Sequence, residues 1–196
     1  MMPLRVIAGT AKGRRLKLVP GSTTRPIMDR VKEALFSIIG RDILYSHFLD
    51  LFAGTGSVGI EALSRGADRA LLVDLDRQAI KTIHENLAIA QVADRAVVRQ
   101  ADALALLRRP PDDAYDFIYV APPQYQNLWQ ATLRAIDANP AWLTQDTVVI
   151  VQLDPQEQTD IDLTHLAPYD QRRYGKTLLW FFETKTPPES AAEEQP

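Results

Sequence analysis

The chain contains no cysteine, which excludes both disulfide staples and thiolate-bound metals. Its three histidines, His47, His84 and His165, show no ligand spacing, so they are read as structural or exposed and no metal is expected. No apolar run approaches the roughly twenty residues that a membrane span needs, and the amino terminus does not resemble a signal peptide. A cytoplasmic location and no membrane partner are expected. At 196 residues the chain can bury a core, but it has little room for the separate substrate domain that dehydrogenases usually carry.

What the chain does have is a glycine turn between an apolar run and a helix, Phe48-Leu49-Asp50-Leu51-Phe52-Ala53-Gly54-Thr55-Gly56-Ser57-Val58-Gly59-Ile60-Glu61-Ala62-Leu63. Glycines there allow positive φ and close approach of a ligand to the backbone, while the helix that follows presents free N–H groups. Gly54, Gly56 and Gly59 fit the dinucleotide fingerprint, and Asp74 ends the next apolar run, where a carboxylate can take ribose hydroxyls. A nicotinamide-dependent oxidoreductase is therefore one reading. Asp50 argues against it, because a carboxylate at the mouth of that strand repels a pyrophosphate and suits a cationic ligand. S-adenosylmethionine, with a sulfonium, an amino group and no phosphate, is such a ligand.

The net charge of −3 conceals an asymmetry. Between Met1 and Arg41, nine basic residues face only Asp29 and Glu33, a local balance of +7 that leaves −10 for the rest of the chain. Such a segment on an acidic body is what a nucleic-acid binder can look like, and a solvated charged hairpin is the plainer reading. Leu4–Ala8 and Arg14–Val19 are strand-like runs around Gly9-Thr10-Ala11-Lys12-Gly13, which predicts a hairpin with a basic tip and second strand. Residues 29–40 read as an amphipathic helix with Arg30, Lys32 and Glu33 on its polar face.

From Phe48 onward strand-like and helix-like runs alternate. Strands are expected at 48–53, 70–74, 96–100, 116–121 and 147–153, and helices at 57–65, 77–90, 103–108 and 126–138. Alternation of this kind predicts a mostly parallel sheet covered on both faces, closed by an antiparallel hairpin at 169–174 and 177–183. Residues 187–196 have no apolar face and are expected to be a disordered tail. Ligands of open α/β sheets bind beyond the strand carboxyl ends. Asp50, Asp74, Asp102 and Ala121-Pro122-Pro123-Gln124-Tyr125 fall there. Asp102 suits an adenine acceptor or a helix cap equally, Asp76 suits a cap, Pro122-Pro123 suits a strand stop, and Trp129 suits a core-facing helix.

With these motifs in order, the chain resembles the class I S-adenosylmethionine-dependent methyltransferases, and within them the RsmD family, which methylates a guanine amine in small-subunit ribosomal RNA. The resemblance runs from about Leu4 to Glu183. It rests on Arg5-Val6-Ile7-Ala8-Gly9 with Lys12-Gly13-Arg14-Arg15-Leu16, on Thr24-Arg25-Pro26 with Asp29-Arg30-Val31-Lys32-Glu33-Ala34-Leu35-Phe36, and on the glycine motif. Glu61-Ala62-Leu63-Ser64-Arg65-Gly66-Ala67 and Tyr174-Gly175-Lys176-Thr177 complete it. The resemblance implies a Rossmann-like methyltransferase core over 42–186, preceded by a basic hairpin and helix over 1–41. Its substrate would be 16S ribosomal RNA, in the small subunit or an assembly intermediate, and the protein a monomer without metal.

By the same resemblance, Asp50, Phe52, Gly54 and Gly56 would hold the methionine part of the cofactor, Asp74 the ribose and Asp102 the adenine. Lys12, Arg14, Arg15, Lys17, Arg25 and Arg30 would contact RNA, and Pro122, Pro123, Gln124 and Tyr125 would position the base. The departure is Ala121, which stands where similar amino-methyltransferases carry Asp or Asn, and Gln124, which occupies the usual aromatic position with Tyr125 one place later. Loss of one such acceptor costs on the order of 3 kcal/mol, about a hundredfold in rate, unless something replaces it. Either the acceptor set is rearranged, or the chain binds cofactor and RNA with weak or lost transfer.

Overall fold

A computed structural model of the chain describes residues 4–21 and 27–185, so Arg25 and the tail at 187–196 lie outside the described residues. In chain order the elements are α1 (Asp29–Ile39), β1 (His47–Asp50), α2 (Ser57–Arg65), β2 (Arg69–Asp74), α3 (Arg77–Ala90) and β3 (Ala96–Gln100). They continue with α4 (Ala103–Leu107), β4 (Phe117–Val120), α5 (Leu128–Asp137), β5 (Val148–Leu153), β6 (Leu166–Tyr174) and β7 (Thr177–Thr184). The strands form one sheet in the order β3-β2-β1-β4-β5-β7-β6. β7 runs antiparallel to both β5 and β6, and the neighbouring pairs from β3 to β5 are parallel. Among the described residues no helix is long and apolar enough to cross a membrane.

Strands buried on both faces need continuous apolar runs, as Phe-Ile-Tyr-Val of β4 and the Val-Val-Ile-Val start of β5 provide. One core packs α1, α2 and α3 against Phe48, Tyr119, Ile150 and Phe181, and the other packs α4 and α5 against Leu49, Leu71, Ile118 and Phe182. Trp129 of α5 is buried in the second core, as its helical spacing predicts. β1 is shorter than expected because its ladder ends at Asp50, where the chain swings into the turn. Leu51 N–H still donates to Tyr119 O and Ala53 N–H to Val73 O. β6 begins earlier than expected, at Leu166, because a bulge between Pro168 and Asp170 breaks its alternation.

The amino-terminal segment departs further from the expected hairpin. Its arms meet in a single antiparallel bridge, Arg5 to Arg15, supported by Leu16 N–H to Leu4 O and Val6 N–H to Arg14 O. Gly13 N–H to Val6 O and two turn bonds close the loop between the arms, and other backbone groups bond to the body, because the segment lies on α2. Ile7 N–H and Ala8 N–H donate to the two carboxylate oxygens of Glu61, and Ala11 N–H donates to Ser64 Oγ. Gly9 is required there, since a Cβ at its φ of +81° would stand 1.8 Å from Ser64 O. Leu4, Val6, Ala11 and Leu16 join the same core as α1.

Lys32 was expected on the polar face of α1 and is fully buried instead. Its Nζ donates to Arg5 O at 2.7 Å and stands 3.3 Å from Glu61 Oε2, so the positive charge faces inward across the joint between α1, α2 and the amino-terminal segment.

Candidate active site

The chain order reverses between β1 and β4, which is where an open parallel sheet splays to leave a crevice at its carboxyl ends. A cleft of about 530 Å³ lies there, lined among others by Phe52, Gly54, Asp74, Asp102, Ala121 and Pro123. The volume is within the range of small-molecule sites, roughly 300–1,000 Å³. A second depression of about 680 Å³, beside Thr147, Val148 and Lys185, lies at the amino end of β5, on the wrong side of the sheet for this chemistry.

The turn after β1 is built by its glycines. Gly54 and Gly56 have φ of +54° and +76°, and open space surrounds the position a Cβ would take on Gly54. Gly59 has a different task, because a Cβ there would touch Leu72 at 3.0 Å and push α2 off β2. Asp74 pins this turn: its Oδ2 accepts from Gly54 N–H at 2.7 Å and its Oδ1 from Asp76 N–H at 2.9 Å. Each oxygen keeps a further lone pair.

Asp50 is placed behind this lining rather than in it. It is 1% exposed, its Oδ2 accepts a long 3.3 Å bond from Gly59 N–H, and its Oδ1 has no hydrogen-bond partner among the described residues. Burial pushes its carboxyl up to about 7; the Gly59 bond opposes this and the neighbouring Asp74 charge adds to it.

Asp102 caps α4 by accepting from Ala105 N–H at 2.7 Å with Oδ1, and it lines the cleft as well, so the two readings of that residue coexist. Asp76 caps α3 through Gln78 N–H, as its position before a helix suggests, and it too lines the cleft.

After β4, Pro122 is buried and Pro123 lines the cleft. Gln124 is exposed and is not part of the lining, whereas Gln126 is. Tyr125 is 65% exposed with φ of +61°, and its hydroxyl donates to Asp154 Oδ2 at 2.9 Å while its N–H donates to Glu157 Oε1 at 2.7 Å. Ala121 borders the cleft with no polar side chain.

Sequence reasoning missed Val19, Leu75 and Gln126 in the lining. Leu75 carries a usable signal, since it follows the acid at the end of a strand. Val19 and Gln126 carry none, because tertiary docking and two left-handed residues, Tyr125 and Asn127, bring them in.

The cationic residues divide into two groups. Arg14 donates to Ile89 O and to Gln91 Oε1 at 2.6 Å, and Lys17 pairs with Glu85 at 2.9 Å, so both are tied to α3. Lys12, Arg15 and Arg30 are exposed and make no side-chain hydrogen bond or ion pair with another described residue.

Among the described residues of the lining the charged ones are Asp74, Asp76 and Asp102, with no lysine, arginine or histidine. Such a wall disfavours a pyrophosphate and favours a ligand with ribose hydroxyls and positive charge. These acids count against the nicotinamide-dependent reading, and the comparisons with known proteins set it aside. A family described as conserved hypothetical protein 95 matches residues 4–183. A Bacillus subtilis protein provisionally named rRNA methyltransferase YlbH is 36% identical, covering 93% of this chain and 100% of that one. Ribosomal RNA small subunit methyltransferase D of Escherichia coli is 27% identical over 97% of this chain and 94% of its own length. The solved structure of an Escherichia coli protein provisionally named methyltransferase yhhF superposes with a TM-score of 0.82 at 28% identity, covering 94% of this chain and 99% of that one. Matched nearly end to end in sequence and in fold, the chain belongs to the RsmD family of class I S-adenosylmethionine-dependent methyltransferases.

Proposed function

We propose that this cleft holds S-adenosylmethionine and that the chain methylates the exocyclic N2 amine of a guanine in 16S ribosomal RNA, acting as a monomer on the small subunit or an assembly intermediate. The observation that carries the cofactor is a cleft wall whose charged described residues are the acids Asp74, Asp76 and Asp102, backed by Asp50 Oδ1, which has no partner among the described residues. Phe52, Gly54 and Gly56 would lie along the methionine part with Asp50 behind them, Asp74 would take ribose hydroxyls, and the free oxygen of Asp102 would face the adenine amine. When bound, the cofactor supplies a methyl group already activated by its sulfonium.

An exocyclic amine is a poor nucleophile because its lone pair is delocalised into the ring, so the protein must accept its N–H bonds and aim the nitrogen. Ala121 offers no side-chain oxygen for this. The backbone carbonyl of Pro122, fixed in direction by the two prolines, and the Gln126 side chain at the cleft are the acceptors at hand, and Tyr125 can stack on a flipped base. Gln124 would reach the base only if the loop rearranged. Lys12, Arg15 and Arg30 remain available for phosphate, whereas Arg14 and Lys17 would first have to leave α3.

The test is mass spectrometry of nucleosides from unmethylated small subunits incubated with labelled S-adenosylmethionine and either the native protein or Ala121→Asp. Labelled N2-methylguanosine from the native protein is expected. Label appearing only with the variant would mean a binding scaffold that has lost transfer, and label on another nucleoside would overturn the guanine assignment.

A further inference from the structure

The Tyr174-Gly175-Lys176-Thr177 motif takes no part in lining the cleft, yet the sheet delivers it to the same end of the molecule. β7 pairs antiparallel with β5 in a register that sets Leu153 opposite Leu178, so the tight turn at Gly175-Lys176 stands beyond the carboxyl end of β5. Asp154 follows directly and accepts the Tyr125 hydroxyl, which connects that turn to the loop whose Pro123 and Gln126 line the cleft.

Lys176 and Arg173 are close enough for their charges to act on Asp154. Its carboxyl lies below the usual range, chiefly through the Gln156 N–H bond, with the Tyr125 hydroxyl and then these two cations adding to the effect. Both are exposed. Arg173 uses only its Nε, donating to Gly175 O at 3.2 Å, and Lys176 makes no hydrogen bond or ion pair with a described residue. Their neighbour Arg172 is paired with Asp170 at 3.0 Å. A solvated hairpin charge would need no such placement, and the turn brings Lys176 and the free Nη groups of Arg173 to Asp154, the partner of the exposed Tyr125 ring in the loop whose neighbours line the cleft. On the α3 side of the cleft the amino-terminal segment contributes Val19 to the lining, but its Arg14 and Lys17 are held by the protein itself.

We propose that Arg173 and Lys176 form a phosphate grip on the β5 side of the cleft, holding the RNA strand next to the nucleotide whose base enters it. This rests on the reading of the chain as an RNA methyltransferase. A guanidinium with free Nη groups and a mobile ammonium can each take one backbone phosphate, and a grip at that distance fixes register without reading sequence.

The experiment is binding of unmethylated small ribosomal subunits to the full chain across a range of salt concentration, for the native protein, Arg173→Ala/Lys176→Ala and Arg173→Lys. S-adenosylhomocysteine binding is measured in parallel by calorimetry. Loss of two phosphate contacts should flatten the salt slope by about 1.5 and weaken binding about tenfold or more at moderate salt. KM for RNA should rise more than kcat falls, Arg173→Lys should keep most of the slope, and S-adenosylhomocysteine affinity should not change. A double variant with the native slope overturns the grip while leaving the methyltransferase reading intact. A double variant that also loses S-adenosylhomocysteine affinity overturns it too, because the pair would then act by supporting the loop. A native protein with no salt-dependent binding to the small subunit sinks both readings together.

Discussion

Glu61→Ala is expected to lower stability by about 3–5 kcal/mol, the range for removing one partner of a buried ion pair. The Glu61 side chain is fully buried and serves four groups: Ile7 N–H and Lys32 on Oε2, Ala8 N–H and Arg65 Nε on Oε1. Its loss leaves the buried Lys32 ammonium with Arg5 O alone and two backbone donors with no acceptor. Even in the native protein burial holds the Lys32 amine below its ordinary value, with Glu61 opposing that shift, so the variant should push it further down. A lysine whose folded value lies below its unfolded value binds fewer protons when folded, so stability rises with pH across that interval. The variant should therefore regain part of its loss toward alkaline pH, and Glu61→Gln, which keeps an acceptor, should lose less. Urea unfolding followed by circular dichroism measures this. A Glu61→Ala midpoint shift worth less than about 1 kcal/mol would show that the joint tolerates an unpaired lysine.

That joint also shows where the sequence was and was not readable. Helices α2 and α3 occupy the residues expected of them, because amphipathic period, a glycine start or aspartate cap, and the flanking strands all act locally. The burial of Lys32 depends on a carboxylate 29 positions away, which no local pattern encodes. The tethering of Arg14 and Lys17 to α3 is equally nonlocal. Yet both halves of the joint were visible as motifs. Arg5-Val6-Ile7-Ala8-Gly9 and Glu61-Ala62-Leu63-Ser64-Arg65-Gly66 carry the resemblance to the family because they are the two faces of one contact: Ser64 Oγ donates to Ala8 O, and Arg65 lies 5.0 Å from the Phe36 ring centre. The cleft acids were legible for a simpler reason. Asp74 ends β2 and Asp102 follows β3, as Asp50 ends β1 behind the lining, and the carboxyl ends of the strands are where such a fold takes its ligand. The loop after β4 was the least legible part, since two non-glycine residues with positive φ redirect it and exchange Gln124 for Gln126 at the cleft.

Asp50→Asn should separate the cleft's affinity from the protein's stability, moving the two in opposite directions. With its carboxyl raised to about 7 by burial, native Asp50 stays protonated in the folded state long after an unfolded aspartate has ionised near 3.8. The folded state then binds the extra proton, so its stability falls as pH rises from about 4 to 7 and levels off above. A shift of that size corresponds to about 4 kcal/mol at full ionisation. The asparagine variant has no such charge, so its stability relative to the native protein should climb through that window and plateau at a few kcal/mol by pH 8. Cofactor affinity should respond the other way. A cationic ligand gains from the ionised carboxylate, and its amino group stays protonated below about pH 7.7. Native affinity should therefore increase toward pH 7 by up to about tenfold per unit, while the variant binds more weakly and without that slope. A charged hydrogen bond of about 1.5–3 kcal/mol sets the loss at roughly tenfold to a hundredfold near pH 7, where the amine is still protonated. Comparing S-adenosylmethionine with S-adenosylhomocysteine, which keeps the amino group and lacks the sulfonium, assigns the charge that Asp50 serves. Equal losses for both ligands identify the amine, and a loss confined to the first identifies the sulfonium. Native-like, pH-independent affinity in Asp50→Asn would instead make this buried acid a cost of folding with no return in binding.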